Sequence, residues 1–419
     1  MVKGRRVVVT GMGIICPIGN SVEESWDSAK NGKSGITHIA QWDASGLGVK
    51  IGGEIKNFDP IEYFGKREVR RMDRTTQLAM YASKQALDSS GLVVTDENRY
   101  DIGCIVGSGI GGIRSITEGV LGYAEKGQRG VSPLLVPIML PDSPAGRVSI
   151  EWGLRGPNMA VSTACATGNN AIGEASAMIA RGAANVMLAG STEAGLVDLA
   201  VASFDNMGAI SRRNDDPQTA SRPFDKDRDG FIVAEGAAML VLEELEHALA
   251  RGANILAEVV GYAATADAYH VTAPLENGEG AVMAMKRALK DANLTIDDID
   301  YLNAHGTSTP LNDASETRAV KTVFGERAYD VAISSTKSVT GHLMGAAGAV
   351  EAVISVKALL ENFVPPTINQ FTPDPVCDLN YTPNVGKSHP IDYVMSNSFG
   401  FGGHNAVLIF GRYSGNGKA

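Results

Sequence analysis

Residues 161–168 read Val-Ser-Thr-Ala-Cys165-Ala-Thr-Gly, a β-prone run that breaks at a cysteine and enters the Gly/Ala-rich helical stretch 168–183. A thiol so placed sits at a helix N-terminus, where unpaired backbone N–H groups and the helix dipole favour an anion. The thiol pKa is expected to fall there, and the thiolate is the reactive species. Taken alone, a cysteine is more often a small buried hydrophobe. Two later segments favour the reactive reading. Residues 304–310 read Ala-His305-Gly-Thr307-Ser-Thr309-Pro310, after a strand-like run over 299–303. Residues 336–348 read Thr-Lys337-Ser-Val-Thr-Gly341-His342-Leu-Met-Gly345-Ala-Ala-Gly348. Of only seven histidines, two therefore stand in turns rich in Gly, Ser and Thr, and a third, His404, follows Gly400-Phe401-Gly402-Gly403. Glycine turns let backbone N–H groups approach a ligand closely, as an oxyanion hole requires.

Working outward, strand-like and helical runs alternate. Strands are predicted over 7–10, 102–107, 186–189, 238–243 and 255–262, and helices over 22–31, 74–90, 168–181 and 278–292. This alternation predicts α/β layering. The halves echo each other: Thr-Ala-Cys165 leads into one small-residue helix, and Ser-Thr-Lys337 leads through Gly341-His342 into another. The repetition suggests a duplicated fold whose two turns meet about a pseudo-two-fold. Helices so poor in bulky side chains are expected to pack against each other. No low-complexity linker separates the halves, so they are predicted to share one core. The boundaries expected are 1–254 and 255–413, with a frayed tail starting near Gly411 and a flexible end at 414–419.

Composition narrows the function. The 419 residues are 44% hydrophobic and 20% charged, with 48 glycines, as suits a soluble α/β protein with tight turns. A net charge of −10 argues against nucleic acid as a partner. The four cysteines, at 16, 104, 165 and 377, are widely spaced and form no zinc or disulfide pattern. No apolar run reaches membrane-spanning length, and no signal peptide precedes the strand at Val7. A cytoplasmic protein without membrane contact is expected.

The Cys-Ala-Thr-Gly, His-Gly-Thr-Ser-Thr-Pro and Lys-Ser-x-x-Gly-His motifs occur in this order, and with them the chain resembles the condensing enzymes of the thiolase superfamily. It is most similar to the 3-oxoacyl-acyl-carrier-protein synthases, and the run from Gly341 to Gly348 looks more like type II than type I. The resemblance spans essentially the whole chain. It implies a five-layered α-β-α-β-α homodimer that condenses an acyl thioester with malonyl carrier protein. It further implies that Cys165 is the acylated nucleophile and that His305 and His342 hold the malonyl thioester carbonyl. Lys337, paired with Glu351, would order the site. The N–H groups of Cys165 and Phe401 would form the oxyanion hole, with Phe401 also the gate. Thr307 and Thr309 would bind the pantetheine arm, and Ile110 would wall the acyl pocket near the dimer interface. The partners implied are acyl and malonyl carrier protein and a second copy. His404, where many relatives carry Thr, is given no catalytic role.

The chemistry suits these residue types. A thiolate exchanges thioesters at little cost. Two neutral imidazoles donating to an enolate oxygen would each contribute about 3 kcal/mol. No metal or redox cofactor is required. A polyketide-type ketosynthase is the nearest rival. A degradative thiolase would carry a second cysteine in the C-terminal glycine loop, and a silent chain-length-factor subunit would have no need of Cys165, both histidines and Lys337.

Three other motifs need weighing. Gly107-Ser-Gly109-Ile110-Gly111-Gly112 matches a dinucleotide fingerprint, a weak signal in so glycine-rich a chain. Asp225-Lys-Asp227-Arg-Asp229-Gly230 opens like a calcium loop but has Gly236 at its twelfth position, and it reads as a structural turn. Arg67, Arg70, Arg71 and Arg74 recur at helical spacing and predict one basic stripe, a docking face for an acidic carrier protein.

Overall fold

In the computed structural model, residues 4–415 are described. Ten strands form the main sheet. The first half contributes β1 (Val7–Ile15), β2 (Ile102–Gly107), β3 (Asn158–Met159), β4 (Val186–Glu193) and β5 (Gly236–Glu244). The second half contributes β6 (Ala257–Ala266), β7 (Tyr301–Asn303), β8 (Ala332–Ser334), β9 (Tyr393–Gly400) and β10 (His404–Gly411). Across the sheet the order is β3-β2-β4-β5-β1 followed by β6-β10-β9-β7-β8. Each half therefore places its own strands in the same order, third-second-fourth-fifth-first. Each also has the same mixture of parallel and antiparallel pairs. The first strands meet back to back at Val8↔Glu258 and Val9↔Ala257. The duplication suggested by the two turns is thus present in the topology.

Helices α1 (Arg74–Ser90) and α2 (Ser143–Trp152) cover the outer face of the first half. Helices α4 (Glu279–Ala292) and α5 (Pro310–Phe324) cover the second. Between the halves lie α3 (Thr167–Ala180) and α6 (Ala347–Glu361), each touching strands of both. The result is five layers. The central helices do pack on each other: a Cβ added at Gly168 would sit 2.3 Å from the backbone nitrogen of Ala349. Both are buried through most of their length, which is why neither shows an amphipathic stripe.

Two expectations about extent are corrected. β1 runs on to Ile15 because its glycines admit a helix instead of ending the strand; a Cβ at Gly11 would lie 2.3 Å from the Ala86 carbonyl oxygen of α1. The chain end is tied down further than expected. Gly411 belongs to β10, and Arg412 donates to Asn362 Oδ1 at 2.6 Å and the Ile391 carbonyl at 2.7 Å. Of the predicted flexible end, residues 416–419 lie outside the described residues.

Candidate active site

The two turns meet over one cleft of about 470 Å³, lined by Cys165, His305, His342, Thr307, Thr309, Ile110 and Phe401 among others. Before Cys165, Ala164 takes a positive φ of 48°, which turns the chain sharply from the strand into α3. The glycine loop after β9 closes on this turn, and a Cβ at Gly400 would stand 3.0 Å from the Cys165 nitrogen. The Phe401 backbone N–H, on that loop, acts to lower the pKa of the Cys165 thiol. The loop is itself tied to the segment after β6: Gly402 N–H donates to the Val271 carbonyl at 2.7 Å, and Asp267 N–H to the Gly403 carbonyl at 2.8 Å.

Both imidazoles are 2% exposed, and their rings lie 5.5 Å apart at an interplanar angle of 84°. His342 is held by its backbone against residues 232–234: its N–H donates to the Ile232 carbonyl at 2.7 Å, and its carbonyl accepts from Ala234 at 2.9 Å. His342 Nδ1 accepts the backbone N–H of Met344 at 3.2 Å, and Nε2 lies 3.1 Å from Cys165 Sγ. Lys337 Nζ donates to His305 Nδ1 at 3.3 Å and to the His305 carbonyl at 2.7 Å, and it pairs with the buried Glu351. Burial, with the Lys337 ammonium second, holds both imidazoles well below the usual histidine range, so both are neutral. A neutral ring whose Nδ1 accepts must carry its proton on Nε2. Both rings therefore present N–H to the cleft.

The thiol departs from expectation. Burial pushes Cys165 up to about 12; the Lys337 charge and the Phe401 N–H oppose this, while Glu193 and Glu351 add to it. Helix position alone did not allow for the desolvation of a half-buried thiol inside the cleft, which favours the neutral form of Cys165.

Thr307 and Thr309 both face the cleft, with their hydroxyls 2.9 Å apart. Thr309 also caps α5, accepting from Asn312 N–H at 3.3 Å. The basic stripe is corrected. Helix Pro60–Val69 is interrupted at Gly65 (φ 76°) and ends at Arg70, and α1 begins afresh after the Asp73 cap. Arg67, Arg70 and Arg71 are exposed, whereas the Arg74 side chain is 12% exposed and bound to Glu235 at 2.6 Å. Arg74 is a structural residue.

Two buried acids escaped sequence reading. Glu316 on α5 accepts the N–H groups of His305 at 2.9 Å and Gly306 at 2.8 Å, fixing the histidine turn from below. Its only signal was an acid about two turns beyond Thr309-Pro310. Glu193, at the end of β4, accepts the N–H groups of Gly109 and Ile110. It fills with the chain's own carboxylate the place a phosphate would need, so the glycine fingerprint is no nucleotide site. The Asp225 carboxylate is likewise taken up by the chain's own N–H groups, accepting from Phe371 and Thr372 across the fold.

A duplicated α/β fold that brings a thiol and two neutral imidazoles into one cleft defines a thiolase-like condensing enzyme. The models for the beta-ketoacyl synthase N-terminal and C-terminal domains match residues 4–248 and 256–371, and the chain belongs to this family. It is 49% identical over 409 residues to the 3-oxoacyl-[acyl-carrier-protein] synthase 2 of Synechocystis sp. (strain ATCC 27184 / PCC 6803 / Kazusa), covering 98% of each chain. It is also 49% identical to the enzyme of that name from Staphylococcus aureus (strain N315), covering 99% of this chain and 100% of the relative. Among solved structures, a ketosynthase in complex with its type II polyketide acyl-carrier protein, bound to the hexaketide, superposes with a TM-score of 0.91. It is 36% identical, and the match covers 98% of this chain and 100% of that one. No helix among the described residues is long and apolar enough to cross a membrane.

Proposed function

We propose that the protein condenses an acyl thioester with malonyl-acyl carrier protein, releasing carbon dioxide and giving 3-oxoacyl-acyl carrier protein, as a step of fatty acid elongation. The observation that carries this reading is the pair of Nε2–H groups converging beside Cys165. In the first half-reaction Cys165 Sγ attacks the acyl thioester carbonyl, and the N–H groups of Cys165 and Phe401 hold the oxyanion. The carbon–sulfur bond to the carrier breaks, and the thiol proton ends on the departing pantetheine sulfur. In the second, malonyl loses its carboxylate as carbon dioxide and the electron pair enters an enolate. His305 and His342 donate to its oxygen. The enolate carbon attacks the acyl-Cys165 carbonyl, the thiolate leaves, and one proton from solvent restores the thiol. Thr307 and Thr309 bind the pantetheine arm, Lys337 and Glu351 keep His305 oriented, and Phe401 gates entry. A Lys337 that already gives its N–H groups to His305 and Glu351 suits positioning rather than proton transfer.

The partner is an acyl carrier protein. It docks on the exposed Arg67, Arg70 and Arg71, whose charge suits an acidic partner. A second partner is another copy of this chain. Beyond the acyl-pocket loop, helix Ile113–Lys126 exposes Val120, Leu121 and Tyr123 at 62–64%, Val136 is exposed as well, and β3 is the edge strand of the sheet. A monomer rarely leaves such a patch and an open sheet edge to water, and two copies of β3 can pair about a two-fold. A cytoplasmic location is part of the same proposal, since all four cysteines are free.

The test is a condensation assay with malonyl carrier protein and acyl carrier primers of graded length. Release of carbon dioxide matched by 3-oxoacyl product supports the reading; hydrolysis alone, or no turnover of any primer, overturns it. The likeness to a polyketide ketosynthase favours one second reading, and repeated extension without reduction of the product would select it.

A further inference from the structure

Glu193 joins the wall of the acyl pocket to the loop that carries His342. It is fully buried. Its Oε1 accepts from Ser108 Oγ at 2.9 Å and Ile110 N–H at 3.2 Å. Its Oε2 accepts from Gly109 N–H at 2.7 Å and Gly345 N–H at 3.1 Å. One carboxylate thus clamps a loop of the first half to a loop of the second. Both glycines are needed for this approach: a Cβ would lie 2.8 Å from Oε2 at Gly109 and 2.6 Å from it at Gly345.

The clamp acts on the residue that decides the His342 tautomer. Met344, next to Gly345, has a positive φ of 49°, a conformation that a side chain adopts only when its surroundings impose it. Its N–H is the donor to His342 Nδ1. A continuous path therefore runs from Ile110 through the Glu193 carboxylate to Gly345, Met344, His342 and Cys165. Among the described residues no lysine or arginine bonds to Glu193, and its four partners there are N–H or O–H donors.

Resting on the condensation reading above, we propose that Glu193 is a positioning residue that sets the His342 N–H for malonyl decarboxylation and links it to the acyl-pocket wall at Ile110. An acyl chain that displaces Ile110 moves donors on the carboxylate that also holds Gly345. Acyl occupancy and imidazole placement then share one anchor.

Glu193→Gln keeps the size of the side chain but turns an amide NH₂ toward N–H donors. Self-acylation from a short primer should not fall, since the lost Glu193 charge had opposed the Cys165 thiolate. Decarboxylation of malonyl carrier protein by the acyl-enzyme should fall about 10- to 100-fold, the loss typical where a group that orients a metal-bound histidine is removed and taken here as the scale for orienting His342. Nitrogen NMR of labelled His342 should show a mixture of tautomers in place of the Nε2–H form, and Glu193→Asp should recover part of both signals. Wild-type decarboxylation in Glu193→Gln overturns the proposal. So does an equal fall in acylation and decarboxylation with the His342 tautomer unchanged. If Glu193→Gln does not fold, Glu193→Asp alone is read by the same criteria: a selective loss of decarboxylation with a mixed tautomer supports the proposal, and any other result overturns it. Wild type run in parallel separates the two claims. A wild type that does not condense overturns the functional reading, whereas a working wild type with an unaffected variant overturns only the role of Glu193.

Discussion

His342 Nε2 stands 3.1 Å from Cys165 Sγ and faces it as a donor, because Met344 N–H already occupies Nδ1. The pair is therefore unlike a thiolate–imidazolium couple, in which the ring takes the thiol proton at rest. The ring keeps its proton on Nε2, as the proposed donation to an enolate oxygen requires.

The thiol should titrate late. With Cys165 raised to about 12 by burial, it is protonated at neutral pH, and each rise of one pH unit multiplies the thiolate about tenfold until that value is reached. Alkylation of the free enzyme by iodoacetamide should rise with this slope between about pH 7 and pH 9. A plateau reached near neutrality would show a resting thiolate.

Only Cys165 should become acylated. It is the one cysteine in the cleft, while Cys16, Cys104 and Cys377 are buried elsewhere. Peptide mass spectrometry after incubation with an acyl carrier thioester reads this directly, and label on another cysteine would exclude the assigned nucleophile.

His305→Ala and His342→Ala should separate the two half-reactions. Each removes one N–H from the enolate oxygen, a loss of about 10²- to 10³-fold in decarboxylation. Self-acylation should be retained to a large degree, because the acyl oxyanion is held by backbone groups. Carbon dioxide release and acyl-enzyme formation, measured on the same sample, check the split.

Lys337→Met should cost more stability than Lys337→Met with Glu351→Leu. The single change leaves Glu351 buried without its cation, a penalty of roughly 3–5 kcal/mol, whereas an apolar pair of similar volume is near neutral. Both variants lose the donor to His305 Nδ1, so neither should recover decarboxylation. Denaturant titration reads stability, and the carbon dioxide assay reads function.

Arg70→Glu with Arg71→Glu should raise KM for acyl carrier protein and blunt its salt dependence, leaving small pantetheine thioesters unaffected. Arg74→Glu should instead unfold the protein or lower its Tm, since it opposes the buried Glu235. Comparing carrier and small thioesters distinguishes docking from damage.

The turns at Cys165, His305 and His342 were legible because each is local: a reactive side chain between small residues, followed by a helix. The duplication was legible for the same reason, as two copies of one local pattern. The Arg67–Arg74 stripe misled because spacing does not register the helix ending at Arg70 or Asp73 starting a new one. Glu193 and Glu316 could not be read because their partners are distant in the chain or lie across a turn. The thiol was misjudged because desolvation depends on what closes over it, including residues 400–403, more than 230 positions away.

The most direct measurement is a pulse-chase on Cys165 by intact mass. Enzyme charged with an acyl carrier primer should gain one acyl mass located on Cys165. A chase with malonyl carrier protein should remove that mass at the rate at which carbon dioxide and 3-oxoacyl carrier protein appear. Product formed while the Cys165 adduct persists, or formed by Cys165→Ala at the wild-type rate, would contradict condensation through an acyl-Cys165 intermediate.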